Sequence, residues 1–185
     1  VGRAIRRHGD SIGTIFIPVF IEKGDDAELS IQSSNFKQVW EIINALKSHD
    51  DELAKELDQL RTNLGRNSGS KIRKGLNKIF FDLPRTVDKS FVDSIKTILV
   101  EKTTVPWLFS YGILEEFSKK NGHCFVRDTF KTKDGYSLGL WVGRQRSHKI
   151  NLAQWQIDKL EELKDWSWDP IKDKWHQAYN LLHDY

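Results

Sequence analysis

Four basic side chains lie close together in the stretch GRQRSHKIN, residues 143–151, and they are the residues of this chain best suited to binding chemistry. They are Arg144, Arg146, His148 and Lys149. The surrounding segment, residues 127–150, holds six Lys or Arg and two Asp, whereas the whole 185-residue chain has a formal charge of only +3. Because concentrated positive charge attracts phosphate groups, the stretch predicts contact with a nucleic-acid backbone. The alternative interpretation is a solvated face without a ligand.

Apolar spacing predicts a helix on either side of these basic residues. The first helix presents Leu138, Trp141, Val142 and Gln145 on one face, and the second presents Leu152, Trp155, Leu160 and Leu163. The tryptophans at 141, 155, 166 and 168 are therefore expected in the core rather than as stacking platforms. Asn151 and Gln154 have the spacing of a capping box for the second helix. The basic stretch then lies where a helix-turn-helix would meet a phosphate backbone.

The same reasoning predicts helices in the first half of the chain. Two are expected over about residues 35–48 and 50–64, the second ending at Gly65. The stretch GRNSGSKIRKG, residues 65–75, has the composition of a linker or domain boundary. Asp88 is a plausible N-cap for a further helix.

A pattern of apolar residues occurs twice in the second half of the chain. Trp107, Tyr111, Leu114 and Phe117 form a helical stripe that begins after Pro106, a residue suited to a first turn. The same residue types or close substitutes recur 68 residues later as Trp175, Tyr179, Leu182 and Tyr185. A fixed period of this length indicates a repeated unit, of which the second copy contains only its first helix.

The first copy of this unit resembles the helicase-associated domain. The resemblance covers about residues 105–169 and is carried by the Trp-led first helix, Gly122-His123, Asp134-Gly135, Leu138-Gly139, Trp141, Gln145-Arg146 and a closing WSW. That family consists of tandem units appended to bacterial helicases. The resemblance implies a three-helix fold and nucleic-acid binding.

The beginning of the chain resembles motif VI of superfamily 2 (DEAD/DEAH-like) helicases. Gly2, Arg3 and Arg6 match the Gly-Arg-x-x-Arg part of that motif, and the apolar run IGTIFIPVFI follows as an expected buried strand that Pro18 keeps short or at an edge. The resemblance implies that Arg3 and Arg6 are catalytic in the full motor, where they reach the γ-phosphate of ATP across the cleft between two RecA-like domains. The chain is then expected to begin inside a motor domain.

Together these patterns predict a mostly α fold with a short β remnant. The expected domains are a remnant of the second RecA-like domain at 1–22, a helical connector at 23–104, the three-helix helicase-associated domain at 105–169 and a truncated second repeat at 170–185. No apolar run is long enough to span a membrane and no signal peptide is evident, so a cytoplasmic monomer is expected. Cys124 is expected to be an ordinary buried thiol, and with His123 alone it makes no metal site.

The predicted function is the C-terminal nucleic-acid-binding portion of an ATP-dependent superfamily 2 helicase, with DNA or RNA and the rest of the motor as partners. A protein-interaction or docking module is the main alternative, and a structural spacer that binds nothing is a third. No cofactor is expected in this fragment, whereas the parent would use ATP and magnesium.

We predict that the isolated chain releases no phosphate from ATP. The sequence contains neither a Gly-Lys-Ser/Thr phosphate loop nor an Asp-Glu pair of the Walker B kind, so the phosphate cradle and the magnesium ligands are missing. The measurement is steady-state phosphate release in the presence and absence of nucleic acid. Activity that persists at constant specific activity through further purification steps would contradict the prediction.

Overall fold

The computed structural model describes residues 15–18, 34–72, 76–82 and 88–183. All of the regular secondary structure in these ranges is helical. Seven α-helices and one 3₁₀ turn follow one another in the order α1 (Ser34–Lys47), α2 (Asp51–Arg66), α3 (Lys89–Thr103), α4 (Pro106–Asn121), α5 (Leu138–Ser147), the turn Lys149–Asn151, α6 (Gln154–Glu161) and α7 (Pro170–His183). The prediction of a mostly helical chain is confirmed.

The predicted β remnant is not seen in the described residues. Residues 15–18, the described part of the segment 1–22, form no strand, and the rest of that segment lies outside the described residues. None of the described helices is both long enough and apolar enough to cross a membrane.

The chain divides into two compact units. The first draws on Val1–Leu57 and Lys71–Thr103, and the second on Asp58–Ser70 and Thr104–Tyr185. One point of division, between residues 70 and 71, falls inside the Gly- and Ser-rich stretch GRNSGSKIRKG. The predicted domain boundaries at residues 22, 104 and 169 stay predictions.

In the first unit, α1 packs against α3 through a small aromatic core. Phe36 and Ile95 are its buried members, and the ring of Phe36 stacks on that of Trp40 with centroids 5.6 Å apart. The start of α2 is capped by Asp50, whose carboxylate accepts hydrogen bonds of 3.0 Å from the backbone N–H groups of Glu52 and Leu53. Lys78 donates to the same carboxylate at 2.7 Å, and the pKa of Asp50 lies below its usual value chiefly because of this hydrogen bond.

The predicted end of the second helix at Gly65 is wrong, because α2 continues through Gly65 to Arg66. The glycine is required by packing within the second unit. A Cβ atom on Gly65 would collide with the carbonyl oxygen of Phe109, and one on Gly112 would collide with that of Thr62. The turn that follows Arg66 contains Ser68 and Gly69, which have positive φ angles of 53° and 74°.

Three further helices of the second unit, α4, α5 and α6, form a common core. Pro106 occupies the first turn of α4 as predicted, and Gly122 ends that helix in the left-handed conformation with φ 76°. The buried core residues are Tyr111, Ile113, Leu114, Cys124, Val126, Leu138, Val142 and Leu160.

The predicted capping box of Asn151 and Gln154 is wrong. Asn151 belongs to the 3₁₀ turn, and the residue before α6 is Ala153. The backbone N–H of Ala153 donates to the side-chain oxygen of Gln156 at 2.9 Å, which is half of a capping box shifted by two residues. Alanine has no side-chain acceptor, so the reciprocal hydrogen bond of a full box is not available here.

We predict that Gly65→Ala destabilises the protein, although alanine normally favours a helix interior by about 1 kcal/mol over glycine. The added methyl group collides with the Phe109 carbonyl, and overpacking of this kind costs about 1–3 kcal/mol. The measurement is thermal or urea denaturation followed by circular dichroism. Gly143→Ala in α5 is the matched control, because its Cβ would meet only a carboxylate oxygen of Asp128 at 3.8 Å. Equal stability changes in the two variants would refute the close approach.

Candidate nucleic-acid interface

Trp107, in the first turn of α4, contacts both of the other helices of the core. Its ring stacks on Tyr111 at a centroid distance of 5.3 Å, lies 5.7 Å from the ring of Trp141 in α5 and meets the ring of Trp155 in α6 edge-on at 5.2 Å. Its indole N–H donates to the side-chain oxygen of Gln145 at 2.9 Å. Trp107 therefore fixes the positions of α5 and α6, and with them the turn that carries the basic stretch.

Arg146 is held inside this unit rather than presented to solvent. Its Nε donates to the carbonyl oxygen of Ser167 at 2.9 Å and its Nη2 donates to that of Cys124 at 3.3 Å. The guanidinium also lies over the ring of Trp166, 5.0 Å from its centroid. Burial lowers the pKa of Arg146 from its ordinary value. The main contacts of Arg146 are thus with the closing WSW stretch, and they hold this stretch against α5.

Lys149 is also engaged with the closing stretch. Its Nζ lies 4.3 Å from the ring centroid of Trp168 and 3.3 Å from a carboxylate oxygen of Glu161. The indole N–H of Trp168 donates to the same oxygen of Glu161 at 2.7 Å, and this bond, followed by that from Lys149, lowers the pKa of the glutamate. Part of the positive field of Lys149 is therefore neutralised within the protein.

Arg144 and His148 are the members of the basic stretch that are exposed. A ring nitrogen of His148, Nδ1, lies 3.0 Å from the carbonyl oxygen of Arg144, so the two side chains extend from one end of α5. The structure therefore brings the four predicted residues to one turn but divides them into an engaged pair and an exposed pair. Their contact with nucleic acid stays a prediction.

Three further cations in the segment 127–150 are exposed, although they entered the sequence-based prediction only through the local charge. They are Arg127, Lys131 and Lys133 in the connection between α4 and α5. Within the described part of the chain, none of them forms an ion pair or a side-chain hydrogen bond. The alternation of basic and aromatic residues from Phe125 to Lys133 is the sequence signal that could have singled them out.

The other residues singled out in the sequence are the arginines at the start of the chain and the single cysteine. Arg3 and Arg6 lie outside the described residues, so their assignment to motif VI stays a prediction. Cys124 is fully buried in the core, and burial raises the pKa of its thiol. The Nδ1 of His123 accepts a hydrogen bond from the backbone N–H of Phe125 at 3.2 Å.

The aromatic pattern that recurs in the sequence has a counterpart in α7. Trp175 stacks on Tyr179 with centroids 5.4 Å apart and an interplanar angle of 13°, compared with 5.3 Å and 11° for Trp107 and Tyr111. The two pairs differ in burial, because Tyr111 is 5% exposed and Tyr179 is 52% exposed. The repeated residues therefore reproduce the local ring geometry without the covering helices.

Comparison with known proteins finds a family match for part of the second unit. Residues 104–169 match the helicase associated domain. The match spans α4, α5 and α6 together with the closing WSW stretch, and this part of the chain is therefore a helicase-associated region. No curated protein and no solved structure shows significant similarity to the chain.

We predict that Arg146→Ala lowers the free energy of unfolding by about 2 kcal/mol, since hydrogen bonds from a charged donor contribute about 1.5–3 kcal/mol. Arg146→Lys should recover little of this loss, because an ammonium group cannot reproduce the planar fork that reaches two carbonyl groups and stacks on Trp166. Arg144→Ala, at an exposed position of the same helix, is the control and should change stability by less than about 0.5 kcal/mol. Urea denaturation of the three variants is the measurement, and equal stabilities would show that Arg146 has no structural role.

Proposed function

We propose that the helicase-associated region is the nucleic-acid-binding portion of an ATP-dependent superfamily 2 helicase and engages DNA or RNA for the motor. The observation that carries the proposal is the match of residues 104–169 to the helicase associated domain, in a part of the chain where positive charge is concentrated. Arg144 and His148 are exposed at the end of α5 and just after it, where a phosphate backbone could reach them.

The contribution of the basic stretch to binding is divided between its residues. Arg144 and His148 are exposed and would contact phosphate directly, whereas Lys149 would contribute a field weakened by Glu161. Arg146 would act chiefly as a positioning residue, because its hydrogen bonds to Ser167 and Cys124 fix the turn from which the others extend. The proposed interface therefore depends on Arg146 through folding more than through phosphate contact.

The proposal extends to the parent protein by way of the motif VI resemblance. There Arg3 and Arg6 would contact ATP, with magnesium held by residues of the motor that this sequence does not contain. The proposed partners are accordingly nucleic acid and the rest of the motor, and the proposed location is the cytoplasm.

A docking module without nucleic-acid contact is the second candidate, and one observation favours it. Apolar and aromatic side chains form an exposed stripe along α7, which consists of Ile171, Trp175, Tyr179 and Leu182. A large exposed apolar surface is typical of protein interaction sites. An interface of this kind responds weakly to salt, whereas phosphate contacts release counterions and weaken steeply as salt rises.

We predict that the chain binds short DNA or RNA and that log affinity falls linearly with log salt concentration. Arg144→Gln should weaken binding to all sequences alike and flatten the slope for duplex DNA by about 0.9, the value expected for one lost phosphate contact. The measurement is fluorescence anisotropy at several salt concentrations. Lys164→Gln removes one exposed charge from outside residues 127–150 and is the matched control. Absence of binding by the parent chain at low salt would exclude the proposed function and favour the docking module.

A further inference from the structure

We propose that the connection between α4 and α5 is a binding surface for single-stranded nucleic acid, with Arg127, Lys131 and Lys133 contacting phosphates and Phe125 and Phe130 stacking on bases. The inference rests on the proposed function and deepens it, since it specifies single-stranded nucleic acid and assigns a second set of binding residues. The connection is the part of the chain from residue 122 to residue 137, between the end of α4 and the start of α5.

The positive charge of the connection is available to a ligand. Arg127, Lys131 and Lys133 are exposed and, in the described ranges, make no ion pair. Two carboxylates, Asp128 and Asp134, belong to the same segment, and neither forms an ion pair among the described residues. By contrast, Arg146 and Lys149 of the basic stretch are engaged with Trp166, Trp168 and Glu161. The cations of the connection are therefore exposed and, within the described part of the chain, unpaired, although Asp128 and Asp134 reduce the net charge of the segment, whereas two of the three Arg and Lys side chains of the basic stretch are held by contacts within the protein.

The connection has a defined shape although it contains no regular secondary structure. Two successive turns are closed by backbone hydrogen bonds from Phe130 to Arg127 at 2.9 Å and from Gly135 to Thr132 at 3.0 Å. Gly139, in the first turn of α5, donates to the carbonyl oxygen of Phe130 at 3.1 Å. A Cβ atom on Gly139 would collide with the carbonyl oxygens of Arg127 and Asp128. The cations are thus presented from a backbone packed directly against α5.

Two aromatic rings lie among these cations. Phe125 and Phe130 are each 37% exposed. Phe130 is held edge-on against Phe117 at a centroid distance of 5.0 Å, and Phe125 lies 5.5 Å from the ring of His123. The Nζ of Lys174 in α7 lies over the Phe125 ring, 4.8 Å from its centroid. This ammonium adds a positive charge next to the ring, and a base would stack on the part of the ring that it leaves uncovered.

Positive groups that alternate with exposed, fixed aromatic rings suit a single strand better than a duplex. A lysine or arginine side chain can neutralise a phosphate of a single strand or of a duplex. A phenyl ring, however, can stack only on a base that is not already stacked on its neighbours. The alternating order of Phe125, Arg127, Phe130 and Lys131 provides both kinds of contact within seven residues. The chemistry therefore favours a single strand of DNA or RNA.

The test is anisotropy with labelled oligo(dT) and oligo(U) 20-mers and with a blunt 20-base-pair duplex, using the full chain. Changing Arg127, Lys131 and Lys133 together to Gln should weaken binding and flatten the single-strand salt slope by about two units, at about 0.7 per phosphate. Changing Lys119, Lys164 and Lys172 to Gln removes the same number of exposed charges elsewhere in the second unit and is the matched control. The control variant should keep most of the affinity.

The aromatic part is tested with Phe125→Leu and Phe130→Leu, which keep an apolar side chain but remove the ring. Each should weaken binding of the single strands about fivefold or more and leave duplex binding unchanged. Phe80→Leu changes an exposed ring of the first unit and is the control. Circular dichroism and urea denaturation separate lost binding from lost folding in every variant.

The outcomes separate this inference from the function on which it rests. If the parent chain binds and the connection variant matches the lysine control, the inference is overturned and the proposed function stands. If the charge variant weakens binding but both phenylalanine variants bind single strands normally, the assignment to single strands is overturned. If the parent chain binds neither form at low salt, the proposed function fails and the inference fails with it.

Discussion

The contact of Trp107 with the two following helices is the interaction on which the helicase-associated region depends. Helices α5 and α6 have 10 and 8 residues, lengths at which an isolated helix is marginal in water. Trp107 supplies apolar area to both and a hydrogen bond to Gln145, which itself donates to the carbonyl oxygen of Trp141 at 3.2 Å. Because one side chain orders three elements, the turn between α5 and α6 and the connection before α5 are positioned together.

The basic stretch and the closing WSW stretch form one structural cluster, although about twenty residues separate them in the sequence. Arg146 contacts Trp166 and Ser167, and Lys149 contacts Trp168. Aromatic rings attract cations through their faces, and planar arginine also forms hydrogen bonds along its edge. The presence of Gln145-Arg146 and WSW in this chain therefore has a folding explanation, which is separate from any role in binding phosphate.

The positions of the helices were predicted from the sequence better than the contacts between them. Apolar period indicates which face of a helix is buried, and in α5 the predicted residues Leu138, Val142 and Gln145 are buried. In α4 only Tyr111 and Leu114 of the four predicted residues are buried, whereas the buried Leu108 and Ile113 were not predicted. The role of Gly65 was missed because it depends on Phe109, a residue on another helix. The start of α6 was misplaced because Asn151 is drawn into a 3₁₀ turn. The types and the location of the candidate site residues were predictable from the sequence. Whether a given cation is free to bind a ligand depends on its contacts with residues distant in the sequence, as Arg146 shows.

The two copies of the Trp-Tyr pair show how far local geometry determines an interface. Residues four apart lie above one another on a helix, so Trp107 and Tyr111 stack almost as Trp175 and Tyr179 do, in nearly the same relative orientation. Burial does not follow from this geometry, since Trp175 is 61% exposed whereas Trp107 is covered by α5 and α6. The stripe on α7 therefore has the residues of a core without the helices that complete one in α4. Repetition of a sequence pattern predicts the shape of a helix face, and the elements packed against that face decide whether it becomes core or surface.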